Sequence, residues 1–191
     1  MNFKIIQSCD SAGESILNIS KPVNQKYAEK YGYGYESKVE TKKSGLSGIY
    51  NYLYDVRDEI NNGTEGWLVK LDTDSCIYDN QISLEQFISD HSLSSFSIVG
   101  TAGSPEFLGD NTEYENQWDI NGGVLFFNLD HPKLPDIINY AISSLDSDYD
   151  SGNWDGDHSS YHDRDQGYLN EAIHHIITSE EDKIMIIKPY C

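Results

Sequence analysis

The sequence predicts a single α/β domain with a mostly parallel central sheet flanked by helices. Strand-type and helix-type segments alternate from the first residues to the last, the pattern of crossover connections between parallel strands. One strand-type run, Gly66-Trp67-Leu68-Val69-Lys70-Leu71, is mostly apolar instead of alternating, as in a strand covered on both faces. At 191 residues the chain has the length of one domain and can bury a core without a metal or disulfide staple.

Each element has a local reason. Residues 3–7 form a short β-type run, the first and central strand, and residues 8–13 form a polar loop containing Gly13 of the kind that lies over a ligand at a strand's C-terminal end. Ser20 is placed as an N-cap with Pro22 just inside a helix whose Val23, Tyr27, Ala28 and Tyr31 keep helical spacing up to Gly32. Residues 34–39 read as the next strand. A second helix covers 47–60, with Ile49, Tyr52, Leu53, Val56 and Ile60 on one face and Asn61-Asn62-Gly63 as its stop. After the 66–71 strand come a short helix over 83–88 and strands over 96–101 and 124–128. A helix over 134–145 points Ile137, Ile138 and Ala141 inward, and a helix over 165–177 precedes a last strand over 184–187. Residues 146–165 hold seven aspartates, one arginine, Gly152 and Gly156, which predicts a mobile acidic loop inside the domain; the segment after it is too short to own a core.

Charge and composition exclude whole classes of function. Lys and Arg total 13 against 32 Asp and Glu, so the formal net charge of −19 argues against nucleic acid as a partner. No stretch approaches the roughly 20 apolar residues of a membrane span, and the N-terminus has no h-region with a cleavage site. Cys9, Cys76 and Cys191 fit neither a zinc spacing nor an even disulfide framework. A cytoplasmic protein is expected, in which the Asn18-Ile19-Ser20 and Asn62-Gly63-Thr64 glycosylation matches are chance.

Asp72 and Asp74 carry the clearest chemistry. Two residues apart in extended chain, their carboxylates point to one side, and the buried strand before them delivers both to the C-terminal edge of the sheet. Hard carboxylate oxygens in that position suit Mn²⁺ or Mg²⁺, which keep open positions for the oxygens of a diphosphate. The same tripeptide also reads as a polar turn after a strand. Asp146-Ser147-Asp148-Tyr149-Asp150 imitates the start of a calcium loop but lacks the Gly at its sixth and the Glu at its twelfth position, where Ser151 and Asp157 stand. Tyr149, Trp154 and Tyr161 offer flat faces for a sugar ring, or are plain surface residues of a loop.

Four segments, in order, resemble a known family. Lys26-Tyr27-Ala28-Glu29-Lys30-Tyr31-Gly32-Tyr33, Trp67-Leu68-Val69-Lys70-Leu71-Asp72-Thr73-Asp74, Asn121-Gly122-Gly123-Val124-Leu125-Phe126-Phe127-Asn128 and Asp165-Gln166-Gly167-Tyr168-Leu169 are similar to motifs of metal-dependent GT-A glycosyltransferases. The nearest likeness is to fungal α-galactosyl/mannosyltransferases and plant xyloglucan xylosyltransferases, over about residues 3–175. The resemblance implies a GT-A (nucleotide-diphospho-sugar transferase, Rossmann-like) fold, a UDP-sugar donor, a glycan or glycoprotein acceptor, Mn²⁺ or Mg²⁺, and retention at the anomeric carbon. It assigns Asp72 and Asp74 to the metal, with Asp72 nearer the ribose or donor sugar. Gln7, Ser8 and Cys9 would face the nucleotide, Asn121, Gly122 and Gly123 would line the donor sugar, and Asp165 and Gln166 would sit by the anomeric carbon.

Among the scarce cations, Lys42 and Lys43 in the 41–45 loop are the candidates for the leaving diphosphate, Lys43 foremost, with solvated loop lysines as the alternative. One departure stands out. The family's third metal ligand is a His near the C-terminus; here His174 and His175 lie on the 165–177 helix and none follows. Either diphosphate and water complete the coordination, or the chain continues in a longer multidomain protein, as do similar modules of large alga-infecting viruses that glycosylate capsid protein. Two other classes compete: a haloacid-dehalogenase-type Mg²⁺ phosphohydrolase, which also has an Asp-x-Asp after an apolar strand, and a non-catalytic sugar-nucleotide-binding module.

Overall fold

A computed structural model of the chain describes residues 1–102, 120–152, 165–177 and 185–187. Strands β1 (Phe3–Cys9), β2 (Gly34–Val39), β3 (Trp67–Leu71), β4 (Ile98–Ala102), β5 (Ile120–Asn128) and β6 (Met185–Ile187) form one sheet in the order β2-β1-β3-β5-β4-β6. The helices are α1 (Glu14–Tyr31), α2 (Asn51–Asn61), α3 (Leu84–Asp90), α4 (Leu134–Ser151) and α5 (Asp165–Ile176). The sheet is mostly parallel, as expected. Among the described strands only β5 is reversed, antiparallel to both β3 and β4.

Helices cover both faces. On one side Ile6, Leu68, Leu125 and Phe127 pack with Leu53 and Val56 of α2 and Ile137, Ile138 and Ala141 of α4. On the other, Phe3, Ile5, Val69 and Leu71 pack with Tyr27 of α1 and Ile88 of α3. Every residue of β3 is buried, which accounts for its apolar run and makes Lys70 conspicuous within it. Order β2-β1-β3 places a change of crossover direction at β1, and a crevice opens where β1 and β3 end.

Four expected boundaries move. Helix α1 begins at Glu14, not at Ser20, because Leu17, Ser20, Asn24, Tyr27 and Ala28 already form its buried stripe. Pro22 lies inside the helix, and the Asn18 carbonyl that loses its partner is on an exposed turn where water can serve it. Residues 48–50 form a 3₁₀ turn before α2, which leaves Ile49 42% exposed instead of in the core. Helix α4 continues to Ser151, closed by Gly152 with φ of 73°, so Asp146, Asp148 and Asp150 are helical and not part of a loop. Strand β5 starts at Ile120, not at Val124, so Asn121, Gly122 and Gly123 are strand residues. Trp154 and Tyr161 lie outside the described residues.

Candidate functional site

A cavity of about 270 Å³ occupies the crevice, walled by the end of β1 and the start of α1 (residues 8–13), the 3₁₀ turn (residues 47–49), Tyr52, Lys70, Asp72 and Thr73. Asp10 builds one wall. Its Oδ2 accepts hydrogen bonds from the Gly48 N–H (3.0 Å) and the Ser47 hydroxyl (3.4 Å), and its Oδ1 accepts from the Ala12 N–H (3.0 Å). The Gly48 N–H, with those of Ala12 and Gly13, holds the Asp10 carboxyl below the usual carboxylate range.

Lys70 and Asp72 of the cavity wall belong to one connected network, whose other members, Asn121, Gly122, Gly123 and Gln166, do not themselves line the cavity. Lys70 Nζ donates to Asp72 Oδ1 and to the Gly122 carbonyl, and lies 4.9 Å from the centre of the Tyr52 ring. Asp72 N–H donates to the Gly123 carbonyl (2.8 Å), Gly123 N–H to Asn121 Oδ1 (2.7 Å), and Gly122 N–H to Gln166 Oε1 on the first turn of α5 (2.9 Å). A Cβ at Gly123 would stand 3.4 Å from Asp72 Oδ2 and 3.0 Å from Asn121 Oδ1, so the absence of a side chain lets the carboxylate lie against β5. Three segments 43 to 94 positions apart in sequence, Asp72, Asn121 to Gly123, and Gln166, are thereby brought to one edge. Asp165 begins α5, and its side chain is outside the described residues.

Ser8 and Cys9 line the cavity, but Gln7 does not. Gln7 is fully buried; its Nε2 donates to the Asp72 carbonyl (2.8 Å) and Ser20 Oγ (3.2 Å), and its Oε1 accepts from Asn24 Nδ2 (2.9 Å) and the Tyr35 hydroxyl (2.7 Å). Ser20 Oγ donates to the Thr73 carbonyl (2.5 Å), and Asn24 joins the Ser75 carbonyl and the Ile77 N–H. The expected nucleotide contact at Gln7 is therefore corrected: the pleat turns its side chain to the α1 face, where three buried polar residues hold the backbone after β3. Replacing Gln7 with Leu, of similar bulk, leaves those groups without partners. A loss of about 2–4 kcal/mol in urea unfolding is the expected result, and a loss below about 0.5 kcal/mol would show that the network does not hold the segment.

Lys43 is corrected too. It pairs with Asp146 (2.9 Å) and Asp150 (3.3 Å) of α4, lies over the Tyr149 ring and does not line the cavity, its charge already met by two carboxylates of α4. Lys42 is tied to Asp55 and Asp58. The cavity's cation is Lys70, which the sequence marks as the one charge in an otherwise apolar strand, two residues and hence one pleat before Asp72. His174 and His175 are exposed on α5, and His175 stacks on Tyr140 with ring centres 4.4 Å apart.

Asp74 is exposed and has no hydrogen-bond or ionic partner among the described residues. Asp72 to Ser75 form a turn closed by the Ser75 N–H on the Asp72 carbonyl (3.0 Å), not the extended chain expected, and Asp72 lines the cavity whereas Asp74 does not. They are the two carboxylates that could hold a divalent ion; no set of three His, Cys, Asp or Glu side chains does so among the described residues. Two carboxylates at a solvent-facing rim fit Mg²⁺ or Mn²⁺, which retain water or phosphate in their other positions. Among the described residues no helix is long and apolar enough to cross a membrane.

No family model matches the sequence, and no curated protein does. Solved structures match the fold. A glycosyltransferase involved in glycosylation of the major capsid of PBCV-1 is similar over 99% of this chain and 83% of its own, with a TM-score of 0.67 at 14% identity. The galactosyltransferase LgtC, in complex with donor and acceptor sugar analogues, is similar over 87% of this chain and 69% of its own, with a TM-score of 0.51 at 14% identity. An active-site mutant of LgtC gives 0.53 at 13% identity over the same shares. The α/β fold with its mixed, mostly parallel sheet is thus the one these glycosyltransferases have.

Proposed function

We propose that the chain is a glycosyltransferase that moves a sugar from a nucleoside diphosphate, UDP by preference, to a hydroxyl of a glycan or glycoprotein. The observation that carries this reading is the network joining Asp72 and Lys70 of the cavity wall to Gly122, Asn121 and Gln166. It gathers, at the crevice where this fold class binds ligands, the residues that the sequence resemblance assigns to metal, donor sugar and anomeric carbon. In the reaction the bond between the anomeric carbon and the β-phosphate oxygen breaks and a bond to the acceptor oxygen forms. The acceptor proton leaves on UDP.

Asp74 and Asp72 would hold Mn²⁺ or Mg²⁺, whose charge, when bound, stabilises the departing diphosphate. Gln166 Oε1 is committed to Gly122, while its amide Nε2 has no partner among the described residues and supplies a donor to a sugar hydroxyl or the developing charge. Retention of configuration is part of the proposal, as is a glycoprotein acceptor, for which the capsid-glycosylating enzyme of similar fold is the support. A phosphohydrolase is the weaker reading, since Asp72 would have to act as nucleophile from the third strand while hydrogen-bonded to Lys70.

The test is thermal unfolding with UDP, with and without Mn²⁺, followed by hydrolysis of a panel of UDP-sugars. A ligand that binds only the folded protein raises its melting temperature. A shift with UDP and release of UDP from at least one sugar nucleotide support the transferase. Binding without cleavage would point to the non-catalytic module, and phosphate-ester hydrolysis with no response to UDP would point to the phosphohydrolase.

A further inference from the structure

Lys70 is a charged side chain only 9% exposed, on a strand otherwise apolar, and it borders the cavity. An ammonium has three N–H donors. Two are used, on Asp72 Oδ1 and the Gly122 carbonyl; the third has no hydrogen-bond acceptor among the described residues, the ammonium's other neighbour being the Tyr52 ring at 4.9 Å. The other ionised groups on the described cavity wall are the carboxylates of Asp10 and Asp72. Asp10 is already satisfied by backbone N–H groups, whereas the remaining Lys70 donor is not. An anion entering this space meets one cation with a hydrogen bond to give, in surroundings where burial strengthens the attraction.

Resting on the transferase reading, we propose that Lys70 is the protein's own phosphate contact: its ammonium, held between Asp72 and the Gly122 carbonyl, binds a diphosphate oxygen of the donor and gives the site an affinity for UDP that persists without divalent ions. Asp72 and Gly122 fix the ammonium from two sides, so its position is set before the ligand arrives. The same contact shields Asp72 from the incoming negative charge. Divalent ions then add to a binding mode already present.

UDP and uridine binding to the intact chain, in EDTA and again in Mn²⁺, separates the possibilities for wild type, Lys70→Met and Lys70→Arg. The expected result is that wild type binds UDP in EDTA, that Lys70→Met weakens this by tenfold or more, that Lys70→Arg restores most of it, and that uridine, lacking phosphate, binds all three alike. Thermal unfolding of the ligand-free variants reports whether Met is tolerated, and Lys70→Arg keeps the comparison valid if it is not. Equal loss of UDP and uridine would reduce Lys70 to a tie between β3 and β5 and overturn the proposal. UDP binding only with Mn²⁺, unaffected by Lys70→Met, would overturn it while leaving the transferase reading intact. No UDP binding under either condition would overturn the transferase reading itself.

Discussion

Asp74→Ala is expected to lower UDP-sugar hydrolysis by roughly 100- to 1,000-fold while leaving the melting temperature nearly unchanged, the scale of losing one group that stabilises transition-state charge. The carboxylate is exposed and has no partner among the described residues, so the folded state loses nothing that holds it together, and a change within about 0.5 kcal/mol is expected. Asp72→Ala separates from it. There the Lys70 ammonium, 9% exposed, loses its counter-charge, and because Asp72 itself is 48% exposed the cost is a discounted 1–2 kcal/mol, roughly, added to the loss of activity. Hydrolysis rates and thermal melts on both variants check the pair. Asp74→Ala with wild-type turnover would remove the proposed divalent site from the mechanism, and equal destabilisation by the two substitutions would contradict the burial difference on which the argument rests.

What the sequence revealed of this site followed periodicity. A doubly covered β3 was legible because five successive buried positions leave no polar alternation, and its end at Leu71 brings Asp72 to the cavity; the extended geometry expected over 72–74 is instead a turn, closed by the Ser75 N–H on the Asp72 carbonyl. The start of α1 was not, because Ser20 followed by Pro22 imitates a helix start. Its polar stripe members Ser20 and Asn24 make sense only once the backbone carbonyls they serve, at Thr73 and Ser75, are known to lie beside them. Those contacts join positions more than 50 residues apart, and no local pattern encodes them. Gln7 shows the same limit: one step along the pleat decides whether a strand-end residue meets the cavity or the helix beneath it. Lys42 and Lys43 stand out in the sequence because cations are scarce in this chain. In the fold Lys43 is the one neutralised by acidic α4, and the lysine of the buried strand borders the cavity.

Gly48→Ala is expected to destabilise the protein by roughly 3 kcal/mol and to weaken UDP binding by about tenfold or more, because the cavity wall and the fold share this contact. A Cβ at Gly48 would stand 2.2 Å from the Asp10 nitrogen and 2.7 Å from the Cys9 carbonyl carbon, both backbone atoms that no rotamer change can move. The 3₁₀ turn must then back away from the end of β1. Overpacking costs about 1–3 kcal/mol, and the Gly48 N–H to Asp10 hydrogen bond, with its ionised acceptor, contributes a further 1.5–3 kcal/mol, roughly, if lost completely. At about 2–4 °C per kcal/mol for a chain of this size, the melting temperature falls by about 10 °C. Acid titration identifies which part is Asp10. Its carboxyl is held below the usual range in the folded state, chiefly by the Gly48 N–H, so the ionised form is favoured by folding. That contribution is fully present above the unfolded value of about 3.9 and is lost as pH falls through the lower folded value. Melting temperatures of wild type and Asp10→Asn should therefore differ by a constant amount above about pH 5 and converge in stronger acid, and the gap should shrink when Gly48→Ala is introduced into both. A Gly48→Ala protein that melts and binds UDP like wild type would mean that the turn is free to shift, and that the wall it builds does not shape the site.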